Sequence, residues 1–452
     1  MKTRILIILL IAALLAACSP NPTTTVPATQ PTALPDNQPT PIIEPTPDNS
    51  TGMAVAKSTK ARITEPQVDP ANLQSLVQGN NEFALTLYHL LSTQDGNLIF
   101  SPYSISQALA MTYVGARNET EAEMATAMRF TLPQAALHPA FNALSLELEK
   151  RATSVNSESA EGAFRLRIAN ALWGQKDFSF LPAFLDTLAE NYAAGMQLMD
   201  FEANPETARG IINQWVYDQT EQKIKDLIPS GAITPNTRLV LTNAIYFKAA
   251  WNRQFEVSST QESPFYLLDG SQVQAQIMHI ETNFAYTAGK GYQVVELPYV
   301  GGEMAMTLIV PDSGNFAAFE QSLDAAKLET LIADLQYTQV NVGLPKFKFE
   351  ASFGLSDALK TMGMPLAFSD QADFSGMTGK NDLAITDVIH KAFIAVDEEG
   401  TEAAAATAVI VGVTSMPPEP LLLTIDRPFL FLIRDTTTGA ILFVGRVTNP
   451  TN

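Results

Sequence analysis

The segment with the most chemical potential lies near the C-terminus. Asp397-Glu398-Glu399 leads into Gly400-Thr401-Glu402, the four alanines Ala403, Ala404, Ala405 and Ala406, then Thr407-Ala408. Val409-Ile410-Val411-Gly412-Val413 and Thr414-Ser415-Met416-Pro417-Pro418 follow. Gly400 can take backbone angles that other residues resist. In an extended chain Thr401, Ala403, Ala405 and Thr407 share one face, and Glu402, Ala404, Ala406 and Ala408 the other. The β-branched stretch 407–413 favours a strand, and Pro417-Pro418 cannot continue a ladder. Alanine is also the best helix former, so the residue types alone allow a surface helix or an extended strand.

Catalytic signatures are missing elsewhere. His89, His138, His279 and His390 are scattered, with no metal-ligand spacing. Cys18 is the only cysteine, so no intramolecular disulfide can form. There is no Gly-x-Ser-x-Gly elbow, phosphate loop or dinucleotide fingerprint. The expectation is a protein that is not an enzyme and needs no metal or cofactor.

The elements that must position residues 397–418 can be read from periodicity. Leu76, Phe83, Leu87 and Leu90 predict a helix over 73–91. A short strand over 98–100 is followed by a helix from Ser101-Pro102 to Tyr113, with proline in its first turn. Residues 168–173, 239–247, 304–310 and 340–349 read as strands, and 208–227 and 316–335 as helices. Strand patterns dominate from Val388 onward. Helices early and strands late, without strict alternation, predict an α+β fold.

The 452 residues include 28 basic and 47 acidic side chains, a formal net charge of −19. Loss of Lys2 and Arg4 with a leader would take this to −21. So acidic a surface repels phosphate backbones and anionic headgroups, which argues against nucleic acid and heparin-like polyanions as partners. Lys2 and Arg4 precede an apolar run, 5–17, too short to span a bilayer as a helix. It has the form of a secretory signal. Leu15-Ala16-Ala17-Cys18 is similar to a bacterial lipobox, which implies a signal peptide over 1–17 and lipidation of Cys18. Residues 18–70, rich in Pro, Thr, Asn and Ala, cannot offset chain entropy by burial and read as a tether. A globular domain is expected over 71–452, extracytoplasmic, held to a membrane only through the lipid anchor or secreted, and monomeric.

Five motifs in order resemble the serpin family of serine protease inhibitors, over roughly residues 71–450. They are Asn97-Leu98-Ile99-Phe100-Ser101-Pro102-Tyr103-Ser104-Ile105, Leu241-Thr242-Asn243-Ala244-Ile245-Tyr246-Phe247-Lys248-Ala249-Ala250-Trp251, the run from Val388-Ile389-His390-Lys391-Ala392 to Ala408, Asp426-Arg427-Pro428-Phe429-Leu430-Phe431, and Phe443-Val444-Gly445-Arg446-Val447-Thr448-Asn449-Pro450.

The resemblance implies three β-sheets with surrounding helices and an exposed reactive-centre loop. Residues 398–407 match the family's hinge, where Glu398, Gly400, Thr401 and the alanines precede insertion into a sheet. Small side chains are needed to slide between strands already packed at close density, and no proline interrupts 401–415. Ser101, Ser104, Asn243 and His390 resemble the family's "shutter", and Trp251 with Lys346 its "breach", Lys346 expected to pair with Glu398. Counting fourteen residues from Gly400 places the bond cleaved by a target serine protease at Thr414–Ser415, with Val413 or Ser415 as alternative carbonyl donors. Val413-Thr414 suits a small apolar pocket, as in elastase- or subtilisin-like enzymes. The implied function is irreversible, suicide-type inhibition through a covalent acyl complex with a serine, or alternatively a cysteine, endopeptidase. The alternative is a non-inhibitory member acting as a binding or structural protein; those often carry bulky, charged or proline residues at inward hinge positions.

Overall fold

Asp69 starts the first helix by accepting the backbone N–H of Ala71 at 2.9 Å, and Pro70 fits the first turn, where no N–H partner is required. The computed structural model describes residues 46–47, 54–154, 164–401 and 420–452. Its helices are α1 (Pro70–Leu91), α2 (Pro102–Tyr113), α3 (Asn118–Met128), α4 (Gln134–Ser154) and α5 (Pro182–Tyr192). Then come α6 (Pro205–Gln219), α7 (Phe316–Gln321), α8 (Ala325–Ala333), α9 (Ser356–Thr361) and α10 (Ser375–Thr378). The strands begin with β1 (Thr46–Pro47), β2 (Ala54–Ala56), β3 (Leu98–Phe100), β4 (Phe164–Gln175), β5 (Met196–Met199) and β6 (Leu239–Ala250). They continue with β7 (Gln261–Tyr266), β8 (Gln272–Gly289), β9 (Tyr292–Pro298), β10 (Met304–Pro311), β11 (Gln336–Pro345) and β12 (Phe347–Gly354). The last are β13 (Asp387–Val396), β14 (Gly400–Thr401), β15 (Leu421–Thr424), β16 (Phe429–Asp435) and β17 (Ile441–Val447).

Three expected elements are shorter or split, each for a local reason. The helix expected over 208–227 ends at Gln219, because Thr220 turns its hydroxyl back onto the Val216 carbonyl and Glu221 and Gln222 adopt left-handed angles. The helix expected over 316–335 breaks before Asp324, whose carboxylate caps α8 by accepting the Lys327 N–H. The strand expected over 340–349 divides at Lys346, whose N–H goes to Gln276.

One sheet has the order β1-β2-β5-β4-β6-β14-β13-β12. The other runs β15-β11-β8-β9-β10-β16-β17-β3, with β7 also on β8. Three sheets were expected; among the described residues the strands form two hydrogen-bonded networks. The reason is β8, which pairs with β7 early, with β11 through its middle and with β9 at its end, joining what would otherwise be two sheets.

The first sheet lies between two helices of different character. Every residue of α2 is buried, and it packs against β4, β6 and β17. On the opposite face Ile212, Trp215 and Val216 of α6 meet Ala169, Trp173, Val240 and Ala244, with Trp173 and Trp215 edge to face at 5.3 Å. Strand alternation thus sends Leu241, Asn243 and Ile245 toward α2 and Val240 and Ala244 toward α6.

Residues 54–69, assigned above to the tether, pack on this body. β2 pairs antiparallel with β5, burying Val55 and Ala56. The Ser58 hydroxyl donates to Asp186, Lys60 bridges Asp186 and Glu190, and Arg62 reaches Asn142 and Glu149. The partners lie 80 to 130 residues away in sequence, so composition alone concealed them.

Candidate functional site

The hinge expected from sequence enters the first sheet at one end of a seam. β6 and β13 run parallel and pair directly from Val240↔Asp387 to Ile245↔Ala392. Beyond that they diverge, and β14 occupies the fork. Thr401 sits between Ala249 of β6 and Val396 of β13, and Gly400 opposite Ala250. A Cβ on Gly400 would lie 2.1 Å from the Ala249 carbonyl oxygen, so only glycine fits. Close approach, besides backbone freedom, makes this position glycine.

A latch surrounds the fork. Thr401 is 1% exposed, and its hydroxyl lies 2.7 Å from the Tyr299 hydroxyl. Tyr299 stacks on Trp251 with ring centroids 4.7 Å apart and meets Phe247 edge-on. Burial pushes the Tyr299 phenol well up, so it stays protonated. The Trp251 indole N–H donates to the Asp397 carbonyl and its backbone N–H to the Glu399 carbonyl. The Glu398 carboxylate accepts from Lys346 Nζ at 2.7 Å and from the Thr260 hydroxyl at 2.8 Å. Its burial would raise the carboxyl, but those two bonds hold it below its usual range. Burial raises Asp397, opposed by the N–H groups of Glu399 and Gly400 that its carboxylate accepts.

A second cluster lies under the closed part of the seam. Asn170, Asn243 and His390 stand side by side on β4, β6 and β13. Ser101 caps α2 by accepting the Ser104 N–H at 3.2 Å, which points both serines at this row. The Ser104 hydroxyl donates to Asn170 Oδ1 at 2.9 Å, and Asn243 Nδ2 donates to Ser104 Oγ and Asn170 Oδ1. His390 Nε2 accepts the Ser101 N–H at 3.1 Å. Its Nδ1 therefore carries the proton and donates to Asn243 Oδ1. Burial lowers the His390 pKa to about 3, which fixes the neutral ring both bonds need.

The two clusters collect Ser101, Ser104, Asn243 and His390 in one place and Trp251, Lys346, Glu398, Gly400 and Thr401 in another. Glu402, Ala403 to Ala406, Thr407, Thr414, Ser415 and Cys18 lie outside the described residues. Sequence reasoning missed Asn170, although a lone asparagine within Ile168-Ala169-Asn170-Ala171-Leu172 was a visible signal. It also missed Tyr299 and Thr260, which carry no local signal. Lys391 follows His390 in the third motif. Its Nζ donates to the Lys225 carbonyl and bridges to Glu350, tying the segment after α6 across β13. The arrangement can do mechanical rather than covalent work: a strand started at Thr401 can continue only by separating β6 from β13.

The family model for serpin (serine protease inhibitor) matches residues 78–450. An uncharacterized serpin-like protein of Thermococcus kodakarensis is 41% identical over 378 residues, covering 83% of this chain and 86% of that protein. The leukocyte elastase inhibitor of Homo sapiens is 39% identical over 394 residues, covering 84% of this chain and all of the human protein. Among solved structures, the thermophilic serpin tengpin in its native state aligns with a TM-score of 0.76 at 28% identity, over 87% of this chain and 99% of tengpin.

Proposed function

The chain belongs to the serpin family, and on that premise we propose that it is a suicide inhibitor of serine endopeptidases with elastase- or subtilisin-like specificity. The observation that carries this is Thr401 seated in the fork between β6 and β13, with six residue pairs below it still zipped. The residues that follow are small, so nothing in 402–408 except Glu402 obstructs continuation, and Glu402 alternates away from Thr401.

The protease's serine oxygen attacks the Thr414 carbonyl carbon. The bond to Ser415 breaks, the new amine takes a proton, and an ester links Thr414 to the enzyme. The freed strand then enters the seam; serpin loop insertion is itself the standing example of such strand addition. Fourteen residue steps from Gly400 span ~45 Å when extended, comparable with a diameter of ~54 Å for a domain of this length. The tethered enzyme is dragged across the body, and each oxyanion-hole donor lost costs ~10²–10³ in its rate. Deacylation stalls, and the inhibitor has catalysed nothing.

The name of the human relative supports an elastase-type target, as does Val413-Thr414. Cysteine endopeptidases would be trapped by the same step through a thioester. The lipidated Cys18 would hold a monomeric inhibitor outside the cell membrane.

The test incubates purified protein with elastase and with subtilisin. A band on a denaturing gel heavier by the mass of the protease is expected, together with a sharp rise in melting temperature of the cleaved inhibitor. Plain cleavage with no adduct and no rise would leave a non-inhibitory binding or structural member.

A further inference from the structure

β15 is, among the described residues, an edge strand paired with β11 alone. Its apolar residues are not all inside. Leu423 is buried, whereas Leu421 is 46% and Leu422 68% exposed. Leu422 stands beside Asn341 of β11, and Tyr337, four residues earlier on the same face of β11, is 83% exposed. The next strand, β8, presents Glu281, Asn283 and Ala285 beside Asn341, Gln339 and Tyr337. Glu281, the one charge in that row of β8, already accepts from Gln339, and Glu296, opposite Ala285 on β9, is paired with Arg434. On a chain of net charge −19 this is a nearly neutral face with a leucine and a tyrosine standing out of it. Exposed apolar edge strands invite pairing and are normally blunted by charge or proline.

We propose that this face, Leu422 of β15 with Tyr337 of β11, is a second docking surface for the target protease beyond the reactive bond. The inference rests on the inhibitory reading above. Six residue steps separate Ser415 from Leu421, at most ~20 Å of chain. A protease of ~230 residues has a radius of gyration of ~17 Å, hence a radius of ~22 Å. An enzyme seated on Thr414–Ser415 therefore overlies β15. The sparse and partnered charge on this face lets an enzyme of either charge approach an otherwise acidic body. Tyrosine gives contact area at small entropic cost and is enriched where binding energy concentrates.

The test uses full-length protein, Tyr337→Ser, Leu422→Ser and the double variant. Two quantities are measured for elastase and subtilisin: the association rate constant, and the affinity for the same enzymes with their catalytic serine changed to alanine. The double variant is expected to associate at least five-fold more slowly and to bind the inactive enzymes at least five-fold more weakly. Stoichiometry of inhibition, set after docking, should not rise. Unchanged rates and affinities for both enzymes overturn the proposal. So does a wild-type protein that sediments as a dimer and a double variant that sediments as a monomer, since the face would then serve a second copy. If wild-type protein forms no covalent adduct yet the inactive enzymes still bind through this face, the docking surface stands and the inhibitory reading falls.

Discussion

His390 on β13 donates its Nδ1 proton to Asn243 on β6, across the seam that an entering strand must open. The same ring accepts the Ser101 N–H from α2, so one side chain ties both strands to the helix beneath them. Replacing it with phenylalanine keeps much of the volume but leaves the Ser101 N–H and Asn243 Oδ1 without partners. Each orphaned buried group costs ~1–3 kcal/mol. His390→Phe is expected to melt ~2–5 kcal/mol less stable by denaturant titration. Its intact loop should also insert spontaneously faster, seen as loss of inhibitory capacity on storage. A variant as stable and long-lived as wild type would mean the hydrogen bond does not hold the seam.

The same histidine sets a pH dependence. Burial lowers His390 to about 3 and His138, bonded to Tyr192, to about 4, against 6.5 when unfolded. Between these values the unfolded chain binds protons that the folded one refuses, so stability rises with pH there. Melting temperature is therefore expected to fall as pH drops from about 6.5 toward 4. His390→Gln should fall less steeply over that window. Parallel curves for the two proteins would count against a neutral, buried His390.

Glu398 adds a second loss of stability on acidification, starting at lower pH than the histidines' window does. Its carboxyl is held below 4.5 by Lys346 and Thr260. Its contribution is complete above the unfolded value and lost as pH falls through the lower folded one. Glu398→Gln removes the charge but not the bulk, and should cost ~1–3 kcal/mol near neutral pH. The gap between wild type and variant should close on acidification below about 4.5. A gap that stays constant to pH 3 would show that shape, not charge, matters at this position.

Much of the site was legible because it is encoded locally. Gly400, Thr401 and the alanines form a continuous run, and Ser101 announces itself as a cap just before Pro102. Asn243 and His390 stand out as polar residues in apolar strands. What hid were partners set by topology. Tyr299 follows a strand with nothing to mark it, yet chain crossing stacks it on Trp251 and bonds it to Thr401. The union of two expected sheets through β8 and the packing of residues 54–69 on α4 and α5 likewise depend on pairings 80 or more residues apart or on strand length.

Thr401 offers the sharpest test of the proposed insertion, because it already sits enclosed between β6 and β13. Its side chain has no route to solvent at 1% exposure, and its hydroxyl partner among the described residues is a tyrosine hydroxyl. An arginine there would need to bury a guanidinium beside Tyr299, and the Glu398 carboxylate already accepts from Lys346 and Thr260. An unpaired buried charge costs several kcal/mol. Strand entry slows by the corresponding factor, ~10-fold for each 1.4 kcal/mol reaching the barrier. Hydrolysis of the acyl ester keeps its own rate and wins the competition. Thr401→Arg is expected to be cleaved at the same bond and at a similar rate, but to release active protease, with the stoichiometry of inhibition rising above ~10. Thr401→Ser, which keeps the hydroxyl and the size, should trap as wild type does. If the arginine variant still forms the covalent adduct at a stoichiometry near one, insertion does not pass through the fork that Thr401 occupies.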